Sequence, residues 1–101
     1  MKFIITPRAA SSLEQITEFL KQRWTHKELA VFRDDIKKFK RTMNEKIIIH
    51  PKLEKFPNVK YTFIGKKQVK LFYEIKENTV VIKLFWHCRQ NPENIQKLLN
   101  R

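Results

Sequence analysis

The chain contains little cysteine, little glycine and no long apolar run. Its single cysteine, Cys88, cannot form an internal disulfide, and the opening MKFIITPRAASS lacks the apolar run of a secretory signal peptide. We therefore expect a reducing cytoplasm as its location. No stretch approaches the roughly 20 apolar residues that cross a bilayer, so no membrane partner is expected. With no internal repeat and no linker, the 101 residues predict a single domain over residues 1–101.

Acidic residues are scarce as well. Ten Asp and Glu stand against 22 Lys and Arg, which gives a net charge of +12 at pH 7. A charge of this size does not define a fold, but it favours a polyanionic or acidic partner such as nucleic acid, the ribosome or an acidic protein. Apolar residues are plentiful, at 42% with eight Phe, which argues against disorder and predicts a real core.

The sequence also lacks the patterns that hold cofactors and metals. It has no glycine-rich phosphate loop and no group of His, Cys or carboxylate residues at metal-site spacing. His50 precedes Pro51 without a second ligand beside it, so we interpret it as a loop residue. We therefore predict no cofactor and no metal.

Two long amphipathic helices are predicted in the first half. Thr6 can cap a helix with Pro7 at its first position, and apolar residues at helical spacing extend this helix over residues 7–24. Thr25 and Glu28 have the spacing of a capping box for a second helix. Because the connection between the helices is very short, they should form an antiparallel helical hairpin. The apolar stripe of the second helix consists of Leu29, Phe32, Ile36, Phe39 and Met43.

Strands and a short helix are predicted around this hairpin. Asn91 is a good N-cap and Pro92 suits a first helical position, so the segment NPENIQKLLN should form a C-terminal helix. Gly65 marks one turn between strands. The strands are predicted over residues 2–6, 60–64, 68–75 and 80–87.

Strand alternation predicts which side chains share a face. In the last strand, one face should carry Val80, Ile82, Leu84 and Trp86, and the other Val81, Lys83, Phe85 and His87. The predicted fold class is α+β, in the order β-α-α-β-β-β-α, with an antiparallel-rich sheet covered on one face by the helical hairpin. Tyr73 and Trp86 should then belong to the core, while the other, partly wet face should present Lys70, Lys83 and His87.

The chain resembles the RelE/ParE family, the toxin halves of bacterial type II toxin–antitoxin modules. The resemblance covers the opening strand with TPRAASSLEQITEFL, the HP and FP of the connector, and VKLFYEIKENTVVIKLFWHCRQNP. The last segment is the most specific, because it looks like the closing hairpin of the family. The resemblance implies a growth-inhibiting, plasmid-stabilisation type of toxin that a cognate antitoxin neutralises. The charge of +12 leads us to expect an acidic antitoxin.

The family divides by mechanism. RelE-like members cut mRNA in the ribosomal decoding site, whereas ParE-like members inhibit DNA gyrase without a hydrolytic site of their own. In a RelE-like protein the resemblance implies that Lys83 and Arg89, with Lys70, neutralise phosphate, that His87 moves a proton and that Glu74 is a possible base. In either case Lys70, Lys83 and Arg89 are the predicted target-binding residues.

The sequence departs from the nuclease pattern at two places, and these departures determine how we rank the two mechanisms. The C-terminal segment ENIQKLLNR contains neither Tyr nor His, and Lys70 stands where nuclease members often have Arg. We therefore place a ParE-like gyrase inhibitor first and a RelE-like ribosome-dependent mRNA endoribonuclease second, which leaves enzymatic activity open. A plain nucleic-acid-binding module explains the charge but not the closing hairpin. The alternative interpretation of His87 is a polar residue at a strand end with no catalytic role. The alternative for Arg89 is that it pairs with the C-terminal helix or with a carboxylate.

Overall fold

The computed structural model describes residues 2–45, 51–52, 56, 58–90 and 93–99, with only the backbone at positions 93 and 96. The predicted order of elements is confirmed over these residues. The predictions for His50, Asn91 and Pro92 lie outside them. The elements are β1 (Lys2–Ile5), α1 (Pro7–Lys21), α2 (His26–Glu45), β2 (Val59–Ile64), β3 (Val69–Lys76), β4 (Thr79–His87) and α3 (Glu93–Leu99).

Both N-terminal helices begin as predicted. Thr6 caps α1, its hydroxyl accepting a hydrogen bond from the N–H of Ala9 at 3.1 Å, and Pro7 occupies the first helical position. At the start of α2, the Glu28 N–H donates to Thr25 Oγ1 at 3.2 Å and the Thr25 N–H donates to Glu28 Oε1 at 3.3 Å. This reciprocal pair is the predicted capping box, which satisfies backbone donors that the helix itself leaves free.

The first helix ends earlier than its apolar spacing predicts, at Lys21 rather than at Trp24. The N–H groups of Arg23 and Trp24 both donate to the carbonyl of Leu20, at 3.0 and 2.7 Å, and this closes the last turn. Trp24 then packs edge-on against Phe32 of α2, with the ring centroids 5.9 Å apart. Trp24, whose spacing predicted a longer α1, therefore packs between the two helices at their connection.

The four strands form one sheet in the order β1-β4-β3-β2. The pairs β2–β3 and β3–β4 are antiparallel, and β1 lies parallel to β4 at the edge. The antiparallel-rich sheet is thus confirmed. Because β3 and β4 are antiparallel, the C-terminal end of β4 lies beside the start of β3, next to the β2–β3 turn, and Val69 pairs with His87 there.

The turn between β2 and β3 packs tightly against the helices. Gly65 has a φ of +60°, and a Cβ there would lie 2.9 Å from Phe32 Cδ1 and 3.0 Å from Trp24 Cη2. Its N–H donates to Asp35 Oδ2 of α2 at 2.8 Å. Both the backbone conformation and the close approach therefore require glycine. The turn ends at Gln68, next to the last residues of β4.

A β-bulge in β4 overturns the predicted faces of that strand. Phe72 pairs with Leu84 and Tyr73 pairs with Ile82, which leaves Lys83 without a residue opposite it. One extra residue shifts the alternation by one position, so that the side chains after it exchange faces. The prediction that Leu84 and Trp86 share a face with Val80 and Ile82 is therefore wrong.

Both faces of the sheet are covered. We call the face that packs against α1 and α2 the hairpin face, and the face that packs against α3 the α3 face. Each face carries an apolar cluster. The hairpin-face cluster consists of Ala9, Ile16, Leu20, Leu29, Phe32, Phe39, Met43, Ile64, Val69, Leu71, Tyr73, Val80, Ile82 and Phe85. The α3-face cluster consists of Val59, Phe72, Leu84, Trp86, Ile95 and Leu99.

The prediction that the second face is partly exposed to solvent is wrong, because apolar side chains of the C-terminal helix pack on that face. Tyr73 is a core residue as predicted, and burial raises its pKa to about 12. Trp86 is also buried as predicted, but on the α3 face. Among the described helices, none combines the length and apolar character that a bilayer crossing requires.

Candidate functional site

The C-terminal end of β4 places a histidine where two helices and a turn meet. His87 is 6% exposed and is the one buried polar or charged residue in the described part of the chain. It follows the bulge, so it lies on the hairpin face and not beside Lys70 and Lys83 as predicted. Its ring packs edge-on against Phe19 of α1, with the centroids 5.4 Å apart.

The hydrogen bonds of His87 define its protonation. The backbone N–H of Arg89 donates to Nδ1 at 3.3 Å, so Nδ1 is an acceptor and the proton of the neutral ring lies on Nε2. Burial lowers the pKa of His87, and the positive charges of Arg89 and Arg23 lower it further. The ring is therefore neutral at pH 7, with a donor at Nε2. Gln90 fixes the backbone here, because the His87 N–H donates to Gln90 Oε1 at 3.3 Å.

A second arginine joins this group from the turn that follows α1. The guanidinium carbon of Arg23 lies 4.4 Å from the centroid of the Phe19 ring, a cation–π contact. Phe19 thus contacts His87 and Arg23 together. No ion pair engages Arg23 or Arg89 among the described residues.

These side chains line a cavity of about 230 Å³, here the arginine pocket. Its polar lining consists of two guanidinium groups, one imidazole and one side-chain amide, and no carboxylate of the described residues contributes to it. The full lining is Phe19, Leu20, Arg23, Trp24, Gln68, His87 and Arg89. A larger groove of about 430 Å³ adjoins it between α1 and α3, and shares Phe19, His87 and Arg89 with it.

The other predicted site residues lie on the α3 face. Lys83 Nζ contacts Glu74 Oε1 at 3.4 Å, and Lys76 Nζ contacts Glu74 Oε2 at 3.6 Å. The side chains of Lys83 and Glu74 are 23% and 14% exposed, so this pair is largely shielded from water. Glu74 is thus engaged by two lysines, which does not suit a free general base.

Lys70 is held by aromatic rings instead. Its Nζ lies 5.2 Å from the centroid of Tyr61 and 5.5 Å from that of Phe63, both on β2. This contact keeps the ammonium group on the α3 face, away from His87. The structure therefore brings together His87 and Arg89 of the predicted site, and separates Lys70 and Lys83 from them.

Sequence reasoning missed Arg23, Phe19 and Gln68 as parts of the pocket. A signal was present for two of them, because Phe19 and Arg23 are four positions apart at the end of a predicted helix and so lie on one side of it. No local pattern points to Gln68, which reaches the pocket through pairing of the strands. The backbone N–H of Cys88 donates to the Gln68 carbonyl at 2.9 Å and fixes this approach.

Cys88 follows His87 directly at the end of β4. Cys88 is exposed, and partial burial raises the pKa of its thiol, with Lys70 opposing this shift. A thiol of this kind is a poor nucleophile at neutral pH. Within the described residues, no three His, Cys, Asp or Glu side chains gather in a way that could hold a metal ion.

The element order, the four-stranded sheet and the helices on both faces define a RelE/ParE-like toxin fold. Among solved structures, the chain is similar to the isolated RelE toxin of E. coli in its P21 crystal form, with a TM-score of 0.56 and 13% identity. The match covers 98% of this chain and 96% of that one. No family model and no curated protein matches the chain. The fold predicted from the closing hairpin is thereby confirmed.

Proposed function

We propose that the protein is the toxin of a bacterial type II toxin–antitoxin module. The observation that carries this proposal is the likeness to the RelE toxin over 98% of the chain. The net charge of +12 supports it, because an acidic partner or a polyanionic target would neutralise such a surface. The protein would act in the cytoplasm, where both kinds of target occur.

We further propose a ParE-like mode of action, in which the toxin inhibits by binding, with DNA gyrase as the target that the family resemblance implies. RNA cleavage needs a base for the 2′-hydroxyl, a group that stabilises the phosphate and an acid for the leaving oxygen. Here Glu74 is ion-paired on the α3 face, while His87 lies on the hairpin face. This separation supports binding rather than catalysis.

The second candidate is a RelE-like ribosome-dependent mRNA endoribonuclease. One observation favours it, namely that Arg23, His87 and Arg89 line one pocket and could face a phosphate together. In this mechanism Arg89 would stabilise the phosphate, and His87, once its ring has taken up a second proton, would transfer the Nε2 proton to the leaving oxygen and return to its neutral form. Lys83 would take part only after leaving its ion pair with Glu74.

The proposed partner is an acidic antitoxin encoded beside this protein. Apolar anchors in the antitoxin would be accompanied by acidic residues, since charge complementarity raises the association rate more than the final affinity. Stopped-flow association at increasing salt tests this, and the on-rate should fall as the ionic strength rises. An on-rate that does not change with salt would contradict the acidic contact.

Induced expression in a bacterial host tests the toxin proposal directly. Growth should stop when the chain is expressed alone and resume when the adjacent acidic gene is expressed with it. Purified protein should then inhibit gyrase supercoiling while leaving in vitro translation unaffected. Unchanged growth despite soluble, folded protein would contradict the toxin proposal, and inhibited translation with intact supercoiling would favour the second candidate.

A further inference from the structure

The bulge in β4 decides on which face of the sheet the last side chains of that strand lie. If Lys83 paired with Phe72 in an unbulged ladder, every later side chain would change face, and His87 would join Lys70 on the α3 face. Apolar burial alone does not select between the two registers, because this part of β4 packs in an apolar cluster on both faces. Polar contacts at the edge of the strand must therefore hold the bulge.

Two hydroxyl groups from the start of α1 make such contacts. Thr6 Oγ1 donates a hydrogen bond to the Lys83 carbonyl at 3.3 Å, and Ser12 Oγ accepts one from the Phe85 N–H at 3.0 Å. Both contacts lie on the edge of β4 that β1 leaves open, because β1 pairs with β4 only as far as Ile82. The hydroxyls thus lie where a longer β1 would otherwise pair.

The bond from Phe85 to Ser12 belongs to the bulged register. Along an antiparallel ladder, successive residues direct their N–H groups to opposite edges of the strand. The extra residue turns the Phe85 N–H away from β3, and in an unbulged ladder this N–H would turn back toward β3 and leave Ser12. The Ser12 hydroxyl also donates to the Ala9 carbonyl at 2.9 Å, and the Ala9 N–H donates to Thr6 Oγ1 at 3.1 Å. One network of hydrogen bonds therefore joins the first turns of α1 to the bulge.

We propose that Ser12, assisted by Thr6, is a positioning residue of the candidate site, which holds the register of β4 that places His87 against Phe19. Ser12 acts through the backbone of Phe85, two residues before His87, and the His87 ring then lies 5.4 Å from the Phe19 ring. This role is a property of the chain by itself, whereas its consequence for growth arrest rests on the proposed function.

NMR spectroscopy of the full chain with Ser12→Ala tests the proposal. The Phe85 N–H loses its acceptor at a half-buried position, so its hydrogen exchange should become roughly tenfold faster or more. The nuclear Overhauser effect between the rings of His87 and Phe19 should be lost, because the strand end leaves the bulged register. The pKa of His87, which burial and two arginines lower in the parent, should rise toward its ordinary value of about 6.5.

Two variants of α1 are the matched controls. Ser12→Thr keeps a hydroxyl at the same position and should retain both the ring contact and the lowered pKa of His87. Ser11→Ala removes a hydroxyl from the exposed neighbouring position and should leave both unchanged. Equal effects of Ser12→Ala and Ser11→Ala, or an unchanged ring contact in Ser12→Ala, would overturn the proposal.

Deletion of Lys83 gives a second test, which separates positioning from a general loss of stability. The deletion removes the extra residue, so Ile82 and Leu84 alternate regularly and His87 keeps its present face without a bulge. The contact between the rings of His87 and Phe19 should persist in this variant. Adding Ser12→Ala to the deletion should then no longer abolish the contact.

Thermal unfolding of each variant shows whether the fold persists. Loss of the ring contact on deletion of Lys83, or loss of the fold with Ser12→Ala in both backgrounds, would contradict the positioning role. Growth arrest is not a readout of this test. Unchanged NMR signals would therefore leave the toxin proposal standing, and unchanged growth would leave the role of Ser12 standing.

Discussion

The backbone N–H of Arg89 donates a hydrogen bond to Nδ1 of His87, two residues before it, at 3.3 Å. This bond needs the lone pair of Nδ1, so protonation of the ring breaks it. The charged ring would also face Arg89 and Arg23, the two cations that lower its pKa. The contact therefore couples the protonation of His87 to the geometry of the strand end.

The first prediction concerns stability and pH. Because burial and the two arginines lower the folded-state pKa of His87 below its ordinary value of about 6.5, the unfolded chain binds this proton more readily. The free energy of unfolding should fall as the pH drops through about 6.5, with a slope from His87 of at most about 1.4 kcal/mol per pH unit. Urea unfolding at a series of pH values measures this.

The matched controls for this prediction are two single substitutions. His87→Gln should flatten the pH dependence between pH 7.5 and 5, because it removes the titrating ring and retains polar atoms. His26→Gln, at an exposed histidine of α2, should leave the slope unchanged. Identical slopes for the parent and His87→Gln would show that the ring is not held neutral by its surroundings.

The second prediction concerns the ion pair of the α3 face. Lys83 and Glu74 are largely shielded, so their coupling in a double-mutant cycle of Lys83→Met and Glu74→Gln should reach about 1 kcal/mol or more. The exposed pair of Lys21 and Glu18 on α1, at 3.3 Å, is the control and should couple by less than about 0.5 kcal/mol. Chemical denaturation of the single and double variants gives both values. A coupling no larger than that of the control would mean that Lys83 is free for a target.

The sequence predicted the elements well because their signals are local. Thr6 with Pro7, and Thr25 with Glu28, define the helix starts through contacts within one turn. The assignment of faces failed because both faces of β4 are apolar, so alternation in VVIKLFW does not distinguish them. Lys83 was the one visible irregularity in that run, and it is the residue at the bulge.

The candidate site was predicted in part for the same reason. His87 and Arg89 are neighbours in sequence, and the end of a strand is a local feature. Arg23 reaches the pocket from the turn after α1, and Gln68 reaches it from the β2–β3 turn. Their proximity depends on the strand order and on the packing at Gly65. Alternation alone put Lys70 and His87 on one face, and the bulge separates them.

The third prediction tests the assignment of Trp86 to the α3 face. Leu99 is 5% exposed and belongs to the same cluster as Trp86, so Leu99→Ala should destabilise the fold by about 2–4 kcal/mol and let water approach the indole. In a Trp24→Phe background, Trp86 is the remaining tryptophan, and its native emission should shift to the red. Leu20→Ala, on the hairpin face, should destabilise comparably without moving that emission. A red shift in Leu20→Ala but not in Leu99→Ala would contradict the assignment of Trp86 to the α3 face.

The last prediction distinguishes the two modes of action. If the toxin acts by binding, no transition state exists for His87 to serve, and His87→Ala should arrest growth nearly as strongly as the parent. Charge reversal at Arg89 should weaken target binding, and so should charge reversal at Lys70. Lys83→Glu should reduce toxicity as well, although part of its effect will be on stability, because it places two carboxylates together where Lys83 now contacts Glu74.

If the toxin is a nuclease, the same substitutions give a different pattern. His87→Ala should then lower the cleavage rate by roughly 10²- to 10⁴-fold, the usual contribution of general acid–base catalysis, while ribosome binding persists. Arg89→Ala should reduce both binding and rate, because an arginine can hold a phosphate and stabilise its developing charge. Growth arrest by each variant, measured with primer extension on a reporter mRNA and with a supercoiling assay, separates the patterns. Codon-phased cuts by the parent, lost in a folded His87→Ala variant, would contradict the binding mechanism and establish the nuclease in its place.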